Sequence, residues 1–331
     1  MTALDVFQSR TGIDLPNLMA ARRLTASRKE KRSKLLGALR TDFDASVVLM
    51  GSWGRAEVTL RSDDDYMVVI LGEERDNLCP TVTDVADALR GTEEEIKSPG
   101  PEELFGVVVF SERLKQNIGL DRDDNTNLTR RMLLLLESVA VVHPDIHDQA
   151  RADILSGYLD DSLKDHHPPR FLLNDIVRYW RTMCVDFAGK ERTRKGQGWG
   201  LRNAKLRTSR KVLFAGGLLP VLRCRDLLKR DMERFLVEQL RQPPTDRLAD
   251  AFLTYDELDA GQETFQAYDR FIGHLADDEF RLVLQGLGNR QAAAQSPYFR
   301  EAVQLGEQVE AGLLTLLFGP LAEQTRQFGI F

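Results

Sequence analysis

The chain has 331 residues, of which 42% are hydrophobic and 29% charged, so it can bury a large core and favours two domains. Its net charge of −6 argues against a surface coated all over for nucleic acid, and its three scattered cysteines are too few for a disulfide framework. The first ten residues hold no apolar signal core, and no apolar run approaches the roughly 20 residues of a membrane span. These features predict a cytoplasmic protein that does not enter a membrane.

The region before residue 45 is predicted to be helical, with candidate helices over residues 17–24 and 26–39. The second of these is strongly basic, with charges at Arg28, Lys29, Lys31, Arg32 and Lys34. Such a run fits either a solvated helix face or a surface that binds a substrate beside an active site.

The stretch 47–71 is predicted to form a strand, a corner and a second strand. Residues 47–50 are a short apolar run, and Gly51-Ser52 follows as a tight corner. The second strand begins at Asp63, Asp64 and Asp65. Because residues two apart on a strand point to the same face, Asp63 and Asp65 project together while Asp64 points away. Two like charges at the mouth of a buried strand are costly unless a cation lies between them, and carboxylate oxygens suit Mg²⁺.

The motif G-S-x-G-R-x-E followed by S-D-x-D resembles the signature of the DNA polymerase β nucleotidyltransferase superfamily. It is similar in particular to the uridylyltransferases and adenylyltransferases that modify bacterial proteins and to related uncharacterised nucleotidyltransferases. The matching positions are Gly51, Ser52, Gly54, Arg55, Glu57, Ser62, Asp63 and Asp65. The residue between the two aspartates is usually apolar in that superfamily, whereas here it is Asp64. A charged hairpin edge is the simpler alternative for this stretch.

The resemblance implies that Gly51 and Ser52 hold a triphosphate and that Asp63 and Asp65 hold two metal ions. A helix starting at Ser52 would be capped by that residue and would point its positive end at the phosphate. Arg55 is expected either to reach phosphate, with Glu57 holding it or pairing with Arg61, or to form a surface ion pair with Glu57.

A third strand is predicted over residues 104–110, after an amphipathic helix over residues 83–96. The resemblance implies a third carboxylate on a strand beside the paired aspartates. Glu112 is the prediction for it, since Ser111-Glu112-Arg113 stands where relatives often carry D-x-R. Alternative candidates are Asp121, Asp123 and Asp124.

Residues 125–142 are strongly apolar and are predicted to form one buried helix, in which Glu137 pairs with Arg130 or Arg131. His143 and His147 have a spacing that can bind metal on a helix, but Pro144 and the lack of a third ligand disfavour this. A composition change over residues 160–169 predicts a domain boundary. The domains are therefore expected at 1–160, with the catalytic core, and at 161–331, which is helical.

The second domain is predicted to begin with a helix over residues 171–188, followed by a basic, glycine-rich stretch over 189–211. The resemblance implies that Arg202, Lys205 and Ser209 grip the β- and γ-phosphates from one helix face. A solvated basic helix, or an RNA-backbone contact with Trp199 as a stacking plane, is the alternative. The rest of the chain reads as a helical bundle.

Together these patterns predict an α+β protein, with a small mixed-sheet nucleotidyltransferase core followed by a mostly helical domain. The expected activity is transfer of a nucleoside monophosphate from a nucleoside triphosphate, with Mg²⁺ or Mn²⁺, to a hydroxyl of a protein or RNA acceptor. Cyclic-nucleotide synthesis is a further possibility, and DNA is not an expected partner. The alternative is a catalytically inactive nucleotide- or RNA-binding protein on the same fold.

Overall fold

A computed structural model describes residues 1–37, 45–74, 84–85, 87–88, 104–116, 118–120, 123–159 and 163–330. The helix predicted over residues 83–96 lies mostly outside these ranges. The strands are β1 (Ala45–Met50), β2 (Tyr66–Ile70), β3 (Val107–Phe110) and β4 (Ser138–Val142). The α-helices are α1 (Ala3–Thr11), α2 (Pro16–Leu36), α3 (Ser111–Lys115), α4 (Asn125–Leu136), α5 (Pro144–Ser156), α6 (Arg170–Thr193), α7 (Trp199–Arg207), α8 (Ser209–Arg223), α9 (Lys229–Arg241), α10 (Pro244–Thr254), α11 (Leu258–Ala276), α12 (Asp278–Gly286), α13 (Arg290–Gln295), α14 (Pro297–Phe318) and α15 (Ala322–Gln324), with a 3₁₀ turn at Cys224–Asp226 and a π turn at Thr325–Ile330.

The strands form one mixed sheet in the order β3-β2-β1-β4. Strand β1 is antiparallel to both β2 and β4, whereas β2 and β3 are parallel. The end of β1 therefore shares one edge of the sheet with the beginnings of β2, β3 and β4; we call this the β1-exit edge. Strands β1 and β2 are buried along their whole length, in keeping with their mostly apolar sequences, and the polar Ser46 of β1 donates to Val142 O at 2.7 Å. The α+β prediction and the three predicted strands are confirmed.

The prediction of a single helix over residues 125–142 is wrong. Helix α4 ends at Leu136, and Ser138 begins β4, which pairs with β1 through Met50. Valines dominate this segment, and β-branched side chains favour a pleated strand over a helix. The last part of the apolar run 125–142 is therefore a fourth strand of the sheet.

The chain divides into two compact units, each assembled from separate segments. The sheet unit comprises Arg22–Leu172 and Leu227–Pro243, and the helical unit comprises Met1–Ala21, Leu173–Asp226 and Pro244–Phe331. This division differs from a single boundary near residue 160, because the first helix belongs with the C-terminal helices. In the helical unit, Leu4 N–H donates to Asp246 Oδ1 at 3.1 Å and Asn17 Nδ2 donates to Asp269 Oδ2 at 2.8 Å.

None of the helices within the described ranges combines the length and the apolar content needed to cross a membrane.

Candidate active site

The Gly51-Ser52 corner follows directly on β1. Gly51 has φ +67°, a left-handed conformation that favours glycine. Residues 51–56 form successive turns rather than a helix. One bond has helical spacing, from Arg55 N–H to Gly51 O at 3.1 Å, but the next runs from Glu57 N–H to Ser52 O, five residues back, and Ala56 has φ +57°. Ser52 therefore does not cap a helix, and any anion contact here has to come from the corner itself.

Three hydrogen bonds tie this corner to the neighbouring strands. Met50 N–H donates to Asp65 O at 2.9 Å, and Trp53 Nε1–H donates to Asp63 O at 3.1 Å. Gly51 N–H donates to Glu137 O at 3.0 Å, immediately before β4. The corner and the paired aspartates are consequently held together at the β1-exit edge.

The three consecutive aspartates alternate in burial as expected for an extended segment. Asp63 is exposed and Asp65 half-buried, whereas Asp64 is only 3% exposed. Asp64 Oδ2 accepts a hydrogen bond of 2.9 Å from Arg32 Nε, and both side chains of this ion pair are buried. The charge of Asp64, at the usually apolar middle position of the motif, is thereby neutralised by Arg32. Asp63 and Asp65 lie on the opposite face of the extended segment.

Helix α2 supplies further contacts to the segment that leads into the aspartates. Arg28 Nη1 donates to Thr59 O at 3.0 Å, and Thr25 Oγ1 accepts from Val58 N–H at 3.0 Å. Arg28 and Arg32 are buried, so these two residues correct the prediction of a wholly solvated or substrate-binding basic face. They hold residues 58–64 in place.

A buried ionic cluster closes the corner from the β4 side. Arg55 Nε donates to Glu57 Oε2 at 3.0 Å, and Arg55 Nη1 pairs with Glu137 Oε2. The predicted surface ion pair is therefore a buried one. Gly54 packs against the same segment so closely that an added Cβ would lie 2.0 Å from Glu137 C. Gly54, Arg55 and Glu57 of the motif thus pack the corner against the start of β4. A direct contact of Arg55 with phosphate stays a prediction.

Glu137 is a site residue that sequence reasoning missed, although it stood out as a lone acid in an apolar run. Its predicted partners were Arg130 or Arg131, but its carboxylate pairs with Arg55. Arg131 instead binds Asp123, with Nη2 to Oδ2 at 2.6 Å.

The prediction of Glu112 as the third carboxylate is wrong. Strand β3 runs parallel to β2 with Phe110 opposite Ile70, and Glu112 N–H donates to Gly72 O at 3.2 Å. Glu112 therefore lies at the far edge of the sheet, separated from Asp65 by the length of β2, about 17 Å at about 3.3 Å per residue.

The alternative acids do not supply this group either. Asp123 is buried against Arg131, and Asp124 Oδ1 caps α4 by accepting from Asn127 N–H at 2.6 Å. Asp121 lies outside the described residues. Within the described ranges, no group of three or more His, Cys, Asp or Glu side chains is placed to hold a metal ion.

His147, half of the histidine pair considered for metal, is buried and bonded to Ser138 Oγ at 2.8 Å. Burial, together with the nearby charge of Arg151, lowers the pKa of His147 from 6.5 to about 3. The imidazole is thus neutral at pH 7 and serves as a structural link between α5 and β4.

The predicted phosphate ligands of the C-terminal half lie in the helical unit. Arg202 and Lys205 are half-buried on α7, whereas Ser209 is buried and begins α8 after a break at Thr208. Arg202 Nη1 donates to Gln197 O at 2.5 Å, but its Nε and Nη2 are enclosed without a hydrogen-bond partner among the described residues. Desolvation and the charge of Arg194 lower the pKa of Arg202. A guanidinium with unused donors is suited to an anion.

Trp199 is not the nucleobase-stacking plane that the sequence offered. Its side chain is 6% exposed and packs between Phe187 and Phe299, at centroid distances of 5.9 and 5.6 Å. It belongs to the core of the helical unit.

One family model matches the chain, over residues 16–92, with the description "Putative nucleotidyltransferase DUF294". The matched range contains α2, the Gly51-Ser52 corner, Asp63 and Asp65. No curated protein and no solved structure gives a match. The family match supports nucleotidyl transfer in general and a nucleotide as substrate.

Proposed function

We propose that the chain is a cytoplasmic, metal-dependent nucleotidyltransferase. It transfers a nucleoside monophosphate from a nucleoside triphosphate to a hydroxyl of a protein or RNA and releases pyrophosphate. The observation that carries this proposal is the bonding of Met50 to Asp65 and of Trp53 to Asp63, which brings the glycine-serine corner and the paired aspartates to one edge of the sheet.

The donor set at this edge fits Mg²⁺ or Mn²⁺. Mg²⁺ is commonly held by one or two carboxylates together with substrate phosphates, and Asp63 and Asp65 provide two carboxylates on one face. When bound, the metal neutralises charge on the attacking and leaving oxygens. Asp64 is already paired with Arg32, so it does not compete for the cation.

The remaining residues bind and orient the triphosphate. Gly51 has no side chain, and the nearest atom to an added Cβ is 4.0 Å away, so phosphate can approach the backbone closely. The Ser52 hydroxyl is the corner's side-chain donor. Within the helical unit taken by itself, Arg202, Lys205 and Ser209 stay our proposed ligands for an anion, supported by the two unused donors of Arg202.

A second candidate is a nucleotide- or RNA-binding protein without turnover. It is favoured by the positions of Glu112, Asp123 and Asp124, none of which completes the site among the described residues.

Transfer of label from each α-³²P nucleoside triphosphate in cell extract with Mg²⁺ or Mn²⁺ tests the proposal. We expect label on protein or RNA with the wild-type chain and none with Asp63→Ala/Asp65→Ala. Glu112→Gln is the matched control, because it changes a carboxylate at the far edge and should keep full activity. Triphosphate binding without transfer to any acceptor would establish the second candidate instead.

A further inference from the structure

The sheet unit contains a cavity of about 290 Å³ at the beginning of α6, and neither the corner residues nor the aspartates line it. The charged residues that line it among the described residues are Lys164 and Arg170, both basic, and His167 lines it as well; we call it the basic cavity. By contrast, the cavity beside Glu112 is lined by four carboxylates and one cation, namely Glu73, Glu74, Glu112, Asp124 and Arg113. In a chain of net charge −6, this concentration of cations favours an anionic ligand.

An aromatic ring forms one wall of the basic cavity. Phe171 is 52% exposed, although it is a large hydrophobic side chain. Its ring lies against the backbone of Gly119, where an added Cβ would be 2.7 Å from Cδ1 and Cε1. The glycine therefore lets the ring rest on the backbone, and the uncovered part of the ring is accessible from solvent.

The loop that carries the cations is held in place before any ligand binds. His166 N–H donates to Leu227 O at 2.9 Å, and Lys229 N–H donates to Asp165 Oδ1 at 2.8 Å. Asp165 O is also 2.8 Å from His167 Nδ1. These bonds fasten the loop to the start of α9, which lowers the ordering cost of binding.

We infer that the basic cavity binds a nucleotide of a single-stranded polynucleotide. Proteins that bind single strands combine cations along the backbone with aromatic rings on which bases stack, and Phe171 beside Lys164 and Arg170 has this composition. An acidic peptide would use the cations but not the ring. The identity of the acceptor follows only if the proposed function holds. In that case the acceptor of the nucleoside monophosphate is a polynucleotide rather than a protein.

Fluorescence anisotropy of a short labelled single-stranded RNA with the full chain tests this inference, without triphosphate and in EDTA. Phe171→Ala should weaken binding by about fivefold or more at fixed salt, because stacking on the ring is lost. Arg170→Gln should weaken binding and reduce the slope of log K against log salt by about 0.7, the value for one phosphate contact to a single strand. DNA of the same sequence shows which polynucleotide is preferred, and either preference supports the assignment.

Two matched variants control for exposed aromatics and exposed arginines. Phe318 is 51% exposed in the helical unit, and Arg290, like Arg170, is an exposed first residue of a helix. Phe318→Ala and Arg290→Gln should bind RNA as the wild type does. Equal losses in test and control variants, or unchanged binding by Phe171→Ala, would overturn the inference. The inference would also be overturned if an acidic phosphopeptide displaced the RNA and if binding of this peptide required Arg170 but not Phe171.

The assay separates this inference from the proposed function. Asp63→Ala/Asp65→Ala should bind RNA normally, because neither residue lines the cavity. RNA binding that depends on Phe171, without any nucleotidyl transfer, would refute the proposed function alone. Transfer to protein with wild-type RNA binding by Phe171→Ala would refute only the basic cavity's role.

Discussion

Replacing Gly54 with alanine should break the contact between the Gly51-Ser52 corner and β4. The added Cβ would lie 2.0 Å from Glu137 C, 2.2 Å from Glu137 O and 2.2 Å from Ser138 N. All three are backbone atoms, so no side chain can turn aside. To reach an ordinary contact of 3.4 Å, one backbone has to withdraw by about 1.4 Å.

That displacement has a cost that can be estimated from the structure. Overpacking of this kind costs about 1–3 kcal/mol. The same movement separates Gly51 N–H from Glu137 O, now 3.0 Å apart, and a lost hydrogen bond adds about 0.5–1.5 kcal/mol. We therefore expect Gly54→Ala to lower the free energy of unfolding by about 1.5–4.5 kcal/mol and to reduce nucleotidyl transfer.

Urea denaturation of the full chain, together with hydrogen exchange of residues 51–57 and 137–142, measures this effect. Gly189→Ala is the matched control, because its Cβ meets nothing within 4 Å and it lies inside α6. There alanine should stabilise the helix by up to about 1 kcal/mol. A Gly54→Ala variant with wild-type stability and wild-type exchange at the corner would refute the reasoning.

Two further changes test the buried charges. Asp64→Asn leaves Arg32 without its buried carboxylate, so we expect a loss of about 3–5 kcal/mol in urea denaturation. Acidification should lower the free energy of unfolding through His147, because its pKa is about 3 in the folded protein and 6.5 in the unfolded chain. The stability that the neutral imidazole contributes is complete above pH 6.5 and is lost as the pH falls toward 3. The loss is at most about 1.4 kcal/mol per pH unit. His147→Gln should remove this part of the pH dependence.

Each of these changes has its own comparison. Asp63→Asn alters an exposed neighbour of Asp64 and should change stability by less than about 0.5 kcal/mol. If Asp64→Asn is no less stable than Asp63→Asn, the ion pair with Arg32 does not stabilise the fold. For His147, an equal slope of stability against pH in the wild type and in His147→Gln would contradict the assignment.

Local patterns predicted the first three strands and the corner because each is bounded by residues that end a strand. Strand β4 was missed because its valines continue a leucine run without interruption, and an apolar run has no period that separates helix from strand. The α+β class was nevertheless predictable from the short apolar runs and the long amphipathic segments.

The partners of the buried charges could not be predicted in the same way. Asp64 and Arg32 are 32 positions apart, and Arg55 and Glu137 are 82 apart, so their pairing depends on how strands and helices assemble. Glu112 failed for a related reason. Its place in the sequence fits a strand next to the aspartates, but the parallel direction of β3 carries it to the wrong edge.

The helical unit draws its first helix from the beginning of the chain and its bonding partners from near the end. Leu4 is separated from Asp246 by 242 positions, and Asn17 from Asp269 by 252. During synthesis α1 and the start of α2 therefore leave the ribosome long before Asp246 and Asp269 are made. Leu4 and Phe7, which are buried in the folded helical unit, therefore stay exposed on the nascent chain until the C-terminal helices have been made.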